Sequence, residues 1–173
     1  MNQKWGLFMS SLLLFLLPVS FAHAQTAAQA ARQSREAGGQ GYAFVAPGVR
    51  STDDATLHFG GGGEYVFKGG GSLGAELGYL GPTERLDGGF GVFSANGGYH
   101  FRGASRSGKA VPFLTVGYAG FFRRAYANGL NYGGGVNYWF KEGIGLRLEF
   151  RDHVFIENGN THFLNARIGL AFR

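Results

Sequence analysis

Four residues near the C-terminal end have side chains suited to acid–base chemistry, namely Asp152, His153, Glu157 and His162. A carboxylate beside an imidazole can orient a general base, which could activate a hydroxyl nucleophile. Thr161 is the only hydroxyl-bearing residue in this segment, and no serine lies beside it. The irregular spacing of the histidines and carboxylates is also untypical of a metal site. We therefore expect a hydrogen-bonded loop cluster, with no catalytic residue and no metal or other cofactor.

A second set of charged residues lies on segments that alternate between apolar and small or polar residues. The set consists of Glu64, Glu76, Arg147, Glu149, Arg151 and Arg167. Residues i, i+2 and i+4 of a strand point to the same face, so Glu149 is expected between Arg147 and Arg151. That face is rich in glycine, which leaves room for long side chains. Because buried charges must be paired, we expect these six residues to form salt bridges.

The sequence contains two copies of a strand–turn–strand unit, at residues 60–79 and 133–152. The two copies place identical residues at matched positions, namely Tyr65 and Tyr138, Lys68 and Lys141, and Glu76 and Glu149. Each copy is apolar on one face and carries charge on the other. The repeat predicts two equivalent hairpins in a sheet that is built from similar halves, with both glutamates on its inner face.

The period-two pattern extends over most of the chain and predicts eight strands. They are placed at 41–50, 57–67, 73–80, 91–101, 112–122, 132–140, 144–151 and 162–172. Strands of roughly 9–11 residues cross a bilayer at a steep tilt. Pro47 is expected to interrupt the first strand, since proline cannot donate to a sheet ladder.

The connections between these strands are predicted to alternate in length. Tight turns are expected at Lys68–Ser72 and Lys141–Gly143, with longer polar loops at 81–89, 123–130 and 152–161. Short turns on one rim and long loops on the other are typical of outer-membrane barrels. The connection at 102–110 departs from this alternation because it is long on the short-turn side.

The N-terminal residues indicate export. Lys4 precedes an apolar run from Leu7 to Leu17, and Ala22-His23-Ala24 fits a cleavage site before Gln25. We predict a signal peptide at 1–24, a flexible polar linker at 25–40 and a barrel domain at 41–173. The chain has no cysteine, which excludes a disulfide framework and thiolate metal sites.

The two faces of the predicted strands differ in a way that favours a membrane barrel over a soluble one. Aromatic residues lie near the strand ends of the apolar face, namely Tyr65, Phe67, Tyr79, Phe101, Phe122, Tyr138 and Phe172. Charged residues make up only 16% of the chain, whereas soluble surfaces are far richer in charge. The net charge of +5 is not clustered, so nucleic-acid binding is not expected.

The segments GGGVNYWFKEGIGLRLEFRD at 133–152 and FLNARIGLAFR at 163–173 carry a family resemblance. They resemble the small outer-membrane β-barrels, which include the transmembrane domain of outer-membrane protein A and the opacity-type surface proteins. Members often show G-x-G-x-x-Y, a short polar turn, an apolar-x-E-aromatic-R strand, and a closing strand rich in Gly and Phe. The resemblance covers about residues 41–173 and implies an all-β, eight-stranded antiparallel up-and-down transmembrane β-barrel of the Gram-negative cell envelope.

Barrels of this kind serve as adhesins, membrane–wall tethers and lipid enzymes, so the resemblance implies fold and location and not one activity. Because nothing in the sequence demands catalysis, we expect a non-enzymatic protein with a structural, adhesive or surface-interaction role. Its lumen is expected to be plugged by charged side chains, without an open pore. Expected partners are outer-membrane lipid, lipopolysaccharide and the barrel-assembly machinery, with the protein itself a monomer.

Two alternatives stay open at this point, namely a lipid-modifying enzyme and a soluble secreted barrel that binds a small apolar ligand. Lipid A deacylases of similar size use a Ser–His–Glu arrangement and carry His-x-Ser on one strand. Here none of the four histidines after residue 25 is followed two positions later by serine; these are His58, His100, His153 and His162.

Overall fold

The computed structural model describes residues 37–156 and 161–173. These residues form β1 (Gly38–Arg50), β2 (Ala55–Val66), β3 (Gly71–Pro82), a 3-10 turn (Leu86–Gly88), β4 (Phe90–His100), β5 (Ala110–Phe122), β6 (Tyr126–Lys141), β7 (Ile144–Phe155) and β8 (Thr161–Phe172). None of the described residues belongs to a helix that is long and apolar enough to cross a membrane. The predicted signal peptide at 1–24 lies outside the described residues, as does the linker up to residue 36.

The eight strands close into one barrel. Each strand pairs antiparallel with the next, and β1 pairs with β8. The predicted fold class, an all-β eight-stranded antiparallel up-and-down barrel, is confirmed. β1 begins at Gly38, so the end of the predicted linker belongs to the barrel. β1 also continues through Pro47, where its pairing with β8 steps from Val45 to Gly48, as the missing N–H of proline requires.

The repeated unit forms two matching hairpins, β2–β3 and β6–β7. Tyr65 and Tyr138 occupy equivalent positions on the outer face, just before the turn. Gly70 (φ +92°) and Gly143 (φ +75°) lie in the two turns in the left-handed region, which favours glycine. The pairing of the second strand with the third and of the sixth with the seventh follows the prediction from the repeat.

The connections lie on two rims. The terminus-side rim carries the turns at 67–70, 101–109 and 142–143 and the first and last strand ends. The loop-side rim carries 51–54, 83–89, 123–125 and Ile156. The loops predicted at 81–89, 123–130 and 152–161 are shorter than expected. Their polar residues belong to strands, because β6 begins at Tyr126 and β7 runs to Phe155. The predicted contrast between short turns and long loops is therefore wrong, and 101–109 is longer than each fully described loop-side connection.

The interior holds two buried apolar clusters in addition to polar side chains. One extends inward from the terminus-side rim and contains Tyr42, Phe44, Ala46, Val111, Trp139 and Ala171. The other lies under the loop-side rim and contains Leu80, Val92, Ala119, Phe121, Ala127 and Phe163. Charged side chains fill the space between these clusters.

Candidate functional site in the barrel lumen

Strand alternation turns all six predicted charged residues into the lumen. Each of these side chains is at most 10% exposed. The six residues are Glu64 on β2, Glu76 on β3, Arg147, Glu149 and Arg151 on β7, and Arg167 on β8. The apolar neighbours Leu148 and Phe150 point outward from the same β7 segment. The inward face is therefore set by the period of two in the sequence.

Glu149 lies between the two arginines of its own strand. Its Oε2 accepts a hydrogen bond from Arg147 Nε at 3.2 Å, and its Oε1 contacts the Arg151 guanidinium. Arg147 also donates from Nη1 to Glu64 Oε1 at 2.7 Å. Each arginine of β7 thus contacts carboxylates on more than one strand, since Arg151 reaches β3 as well.

Glu76 closes the other end of the network. Arg167 donates to both of its carboxylate oxygens, at 2.8 Å and 2.9 Å, which is the bidentate geometry of strong charge-assisted pairs. Arg151 Nη1 lies 3.6 Å from Glu76 Oε2, and the Tyr42 hydroxyl donates to that oxygen at 3.2 Å. The three carboxylates and three guanidiniums form one continuous chain, so the lumen network carries no net charge.

Aromatic rings complete the environment of the arginines. The Arg147 guanidinium lies 4.3 Å from the Tyr42 ring centroid and 4.0 Å from that of Phe113, and Arg167 lies 4.1 Å from that of Phe44. Stacking on a ring face favours a cation that has lost its water. The network is consequently both paired and closely packed.

Glycines opposite the charged residues make room for them. Gly135 pairs with Glu149, and Gly133 pairs with Arg151 across the β6–β7 ladder. A Cβ atom at Gly135 would overlap the carbonyl oxygen of Leu148 and press on the Glu149 backbone. The close approach of the strands therefore requires glycine at this position.

The predicted loop cluster is divided between the two faces of the barrel, because β7 extends through it. His153 is fully buried in the lumen, and its ring lies 5.2 Å from that of His58. Neither ring nitrogen of His153 has a hydrogen-bond partner within the described residues. His58 Nδ1 lies 3.2 Å from Arg167 Nη2, which links this histidine pair to the charge network. The interpretation of His153 as a loop residue is wrong.

Asp152 and His162 remain together, but on the outer face of the barrel near the loop-side rim. Asp152 Oδ2 lies 2.7 Å from His162 Nδ1 and accepts a hydrogen bond from the Tyr132 hydroxyl at 2.8 Å. The Ser51 hydroxyl accepts from the backbone N–H of His162 at 3.3 Å. Glu157 lies outside the described residues, among which no group of three His, Asp or Glu side chains could hold a metal ion.

The fold of this barrel is shared with solved proteins of the bacterial surface. Neisserial surface protein A is 15% identical with a TM-score of 0.58, over 78% of this chain and 94% of that one. The N-terminal barrel domain of Pseudomonas aeruginosa OprF is 15% identical with a TM-score of 0.53, over 79% and 100%. Ail, the attachment invasion locus protein of Yersinia pestis, is 14% identical with a TM-score of 0.52, over 78% and 95%.

The chain has the fold of the small outer-membrane β-barrels. At this level of identity the likeness is one of fold. No family model matches the sequence, and no curated protein matches it either.

This outer-membrane-type barrel has a cavity at each mouth of its lumen. The cavity at the loop side has a volume of about 430 Å³ and is lined by Phe90, Phe155 and Phe163, with Arg50 and Asp54 at its edge. The cavity at the terminus side has a volume of about 440 Å³ and a more polar lining. Sequence reasoning missed both cavities, although the inward position of Trp139 near a strand end was a signal for the second.

Proposed function

We propose that the chain is an integral outer-membrane β-barrel protein. The observation that carries this proposal is the reversed polarity of the barrel, with charged side chains inside and apolar side chains outside. Phe150 is 69% exposed and Val116 is 62% exposed, whereas Arg151 beside Phe150 is 1% exposed. Removing apolar surface from water contributes roughly 25 cal/mol per Å², so this outer face favours lipid over water. A soluble barrel would have the opposite arrangement.

Aromatic side chains at both ends of the apolar face support this proposal. Toward the terminus-side rim they are Tyr65, Phe67, Tyr99, Phe101, Tyr138, Phe140 and Phe172, and toward the loop-side rim Phe59, Tyr79, Tyr118, Phe122 and Tyr126. The Tyr79 hydroxyl donates to the carbonyl oxygen of Leu86 at 2.5 Å. Rings with an apolar body and a polar tip suit the headgroup boundary of a bilayer.

The proposed barrel has a plugged lumen and no open pore. The paired charges between β2, β3, β7 and β8 and the rings stacked on them support closure at mid-height. The buried aromatic cluster under the loop-side rim adds a second, apolar obstruction. An eight-stranded barrel is just wide enough for its interior side chains to fill it.

The role that we propose for this barrel is structural or surface-interacting, with outer-membrane lipid, lipopolysaccharide and the assembly machinery as partners. Arg123 donates to the carbonyl oxygens of Asp87 and Gly88, at 2.6 Å and 3.1 Å, and so ties two loop-side connections together. An ordered loop-side rim supports recognition of another surface. Adhesion is one form of this role, since one protein of the same fold is named for attachment.

Extraction from membranes tests the membrane proposal. We expect the exported protein to stay in the membrane fraction after washing with salt and urea and to be released by detergent alone. A heat-modifiable shift on a dodecyl sulfate gel is expected as well. Release by osmotic shock without detergent would contradict the proposal and favour the soluble ligand-binding barrel.

We propose no catalytic activity for the cluster of Tyr132, Asp152 and His162, which has an acid–base pair on the lipid-facing side. The hydroxyl of Ser51 is hydrogen-bonded to the backbone of His162, and a catalytic serine would instead be bonded to the ring. Lipid A mass profiles from cells with and without the gene are expected to be identical. A change that disappears with His162→Ala would establish the enzyme alternative.

A further inference from the structure

The terminus-side cavity is lined mainly by polar and cationic side chains from several strands. The lining includes Gln40, His100, Arg102, Asn137, Trp139 and Arg173, with Glu142 as its one acidic residue. Gln40 and His100 already have a hydrogen-bond partner. Gln40 Nε2 and His100 Nε2 each lie 3.0 Å from a carboxylate oxygen of Glu64. Arg102 donates from Nη2 to the carbonyl oxygen of Val66 at 3.4 Å. The lining groups that remain to be explained are therefore the side-chain amide of Asn137 and Nε of Arg173.

Asn137 is a buried amide without an internal partner. Its side chain is 1% exposed, and neither its Oδ1 nor its Nδ2 has a hydrogen-bond partner among the residues that the structure describes. Leaving both groups of an amide unsatisfied inside a protein is costly, so such groups call for an explanation. Because Asn137 lines the cavity, a polar molecule inside the cavity would satisfy it.

Two guanidiniums share this cavity with the amide. The Arg173 guanidinium stacks on Trp139 at 4.1 Å, and its buried Nε has no hydrogen-bond partner in the described part of the chain. Burial lowers the pKa of Arg173, the nearby charge of Arg102 lowers it further, and Glu142 opposes both effects. Positive charge is thus concentrated at the mouth, and an anion would relieve the repulsion between the two arginines.

Further cationic side chains surround the mouth of this cavity. The side chains of Lys68, Arg106, Lys109 and Lys141 are exposed on the terminus-side rim, where Glu142 is the one acidic side chain among the described residues. The described loop-side connections differ, since they hold four acidic side chains (Asp53, Asp54, Glu84 and Asp87) and three basic ones (Arg85, Arg123 and Arg124). A cavity whose rim carries mostly positive charge concentrates anions at its entrance.

We propose that the terminus-side cavity is a binding site for a small soluble oxyanion, of the carboxylate or phosphate class. Arg173 Nε and Asn137 Nδ2 would donate to its oxygens. Asn137 Oδ1 would accept from a hydroxyl of the same molecule, as in monohydrogen phosphate or a hydroxy acid. Charge-assisted hydrogen bonds from buried donors give such a site its affinity. This site does not depend on the loop-side surface or on its partners.

The fluorescence of Trp139 provides a direct test. In the full chain carrying Trp5→Phe, Trp139 is the only tryptophan. Phosphate, acetate and a hydroxy acid are titrated into the folded protein in neutral detergent micelles at constant ionic strength, with chloride as the reference. We expect a saturable change in Trp139 emission with the oxyanions. Arg173→Gln should weaken the affinity by about tenfold or more, the effect of losing one charge-assisted hydrogen bond.

Two further variants separate the site from general effects. Asn137→Leu should weaken binding without lowering the unfolding midpoint, since it removes no hydrogen bond within the described residues. Arg106→Gln removes the same charge from the rim outside the cavity and should change the affinity by less than about twofold, because exposed charges contribute little. An equal loss in Arg106→Gln and Arg173→Gln, or no saturable change with any oxyanion, would overturn the proposal.

A final arm distinguishes a soluble anion from a lipid headgroup. Micelles doped with phosphatidylglycerol should leave the affinity for soluble phosphate unchanged, because the cavity lies within the lumen. If the anionic lipid alone produces the saturable change, the proposal of a soluble ligand is wrong.

Discussion

At the scale of single residues, the charge balance of the lumen depends on which carboxylate meets which guanidinium. Glu149 contacts two arginines, yet each of these keeps a second carboxylate, Glu64 for Arg147 and Glu76 for Arg151. The inward direction of these side chains could be predicted from alternation along β7. The cross-lumen pairs could not, because they depend on the stagger of strands that are far apart in sequence.

The variant Glu149→Ala should destabilise the barrel by about 3 kcal/mol, at the lower end of the range for breaking a buried ion pair. The lumen would hold one uncompensated positive charge, while both arginines retain one partner. Unfolding of the refolded protein by urea in micelles measures this free energy. Glu84→Ala, on the exposed loop-side rim, is the matched control and should have no effect. A midpoint for Glu149→Ala equal to that of the parent would show that the network contributes no stability.

At the scale of elements, the repeated hairpin predicts which strands pair and which rim carries Lys68 and Lys141. Element ends were less predictable, since a polar residue such as Asn128 suggests a loop but continues β6 as paired backbone. The same effect explains the divided cluster, because adjacent residues of a strand point to opposite faces. Asp152 and His153 would be neighbours in a loop and are separated by the wall of the barrel in β7.

Gly135→Ala should destabilise the β6–β7 pair by about 1–3 kcal/mol, the usual cost of forcing an extra group into a packed site. Its Cβ would overlap the backbone opposite Glu149. Gly63→Ala is the matched control, because a Cβ there makes only ordinary contact. The urea midpoints of the two variants should differ clearly, and equal midpoints would mean that the close strand approach does not constrain position 135.

At the scale of the whole molecule, the barrel is an apolar surface that encloses a neutral charge network, with a cavity at each mouth. The composition and the alternation predict this reversed polarity, because the few charged residues alternate with apolar ones and share their face with many glycines. They do not predict the two apolar clusters inside the barrel. Nor do they predict the cavities, whose walls combine residues from distant strands and turns.

A closed lumen predicts the absence of steady ion conductance. The reconstituted barrel in a planar bilayer should show no regular channel steps at moderate voltage and salt. An open porin reconstituted in parallel provides the positive control. Uniform steps that change size in Glu149→Ala would instead identify an ion path through the charge network.

The central claim is that the outer face of the barrel contacts lipid. Tryptophan quenching tests this claim most directly. Val116→Trp is placed in a chain that also carries Trp5→Phe and Trp139→Phe, and it is compared with Trp139 in Trp5→Phe alone. We predict that lipids brominated on their acyl chains quench the tryptophan introduced at position 116 strongly and Trp139 weakly, since Val116 is exposed on the apolar belt and Trp139 faces the lumen. Strong quenching of the introduced tryptophan by aqueous acrylamide, with none by brominated lipid, would contradict a membrane-embedded barrel.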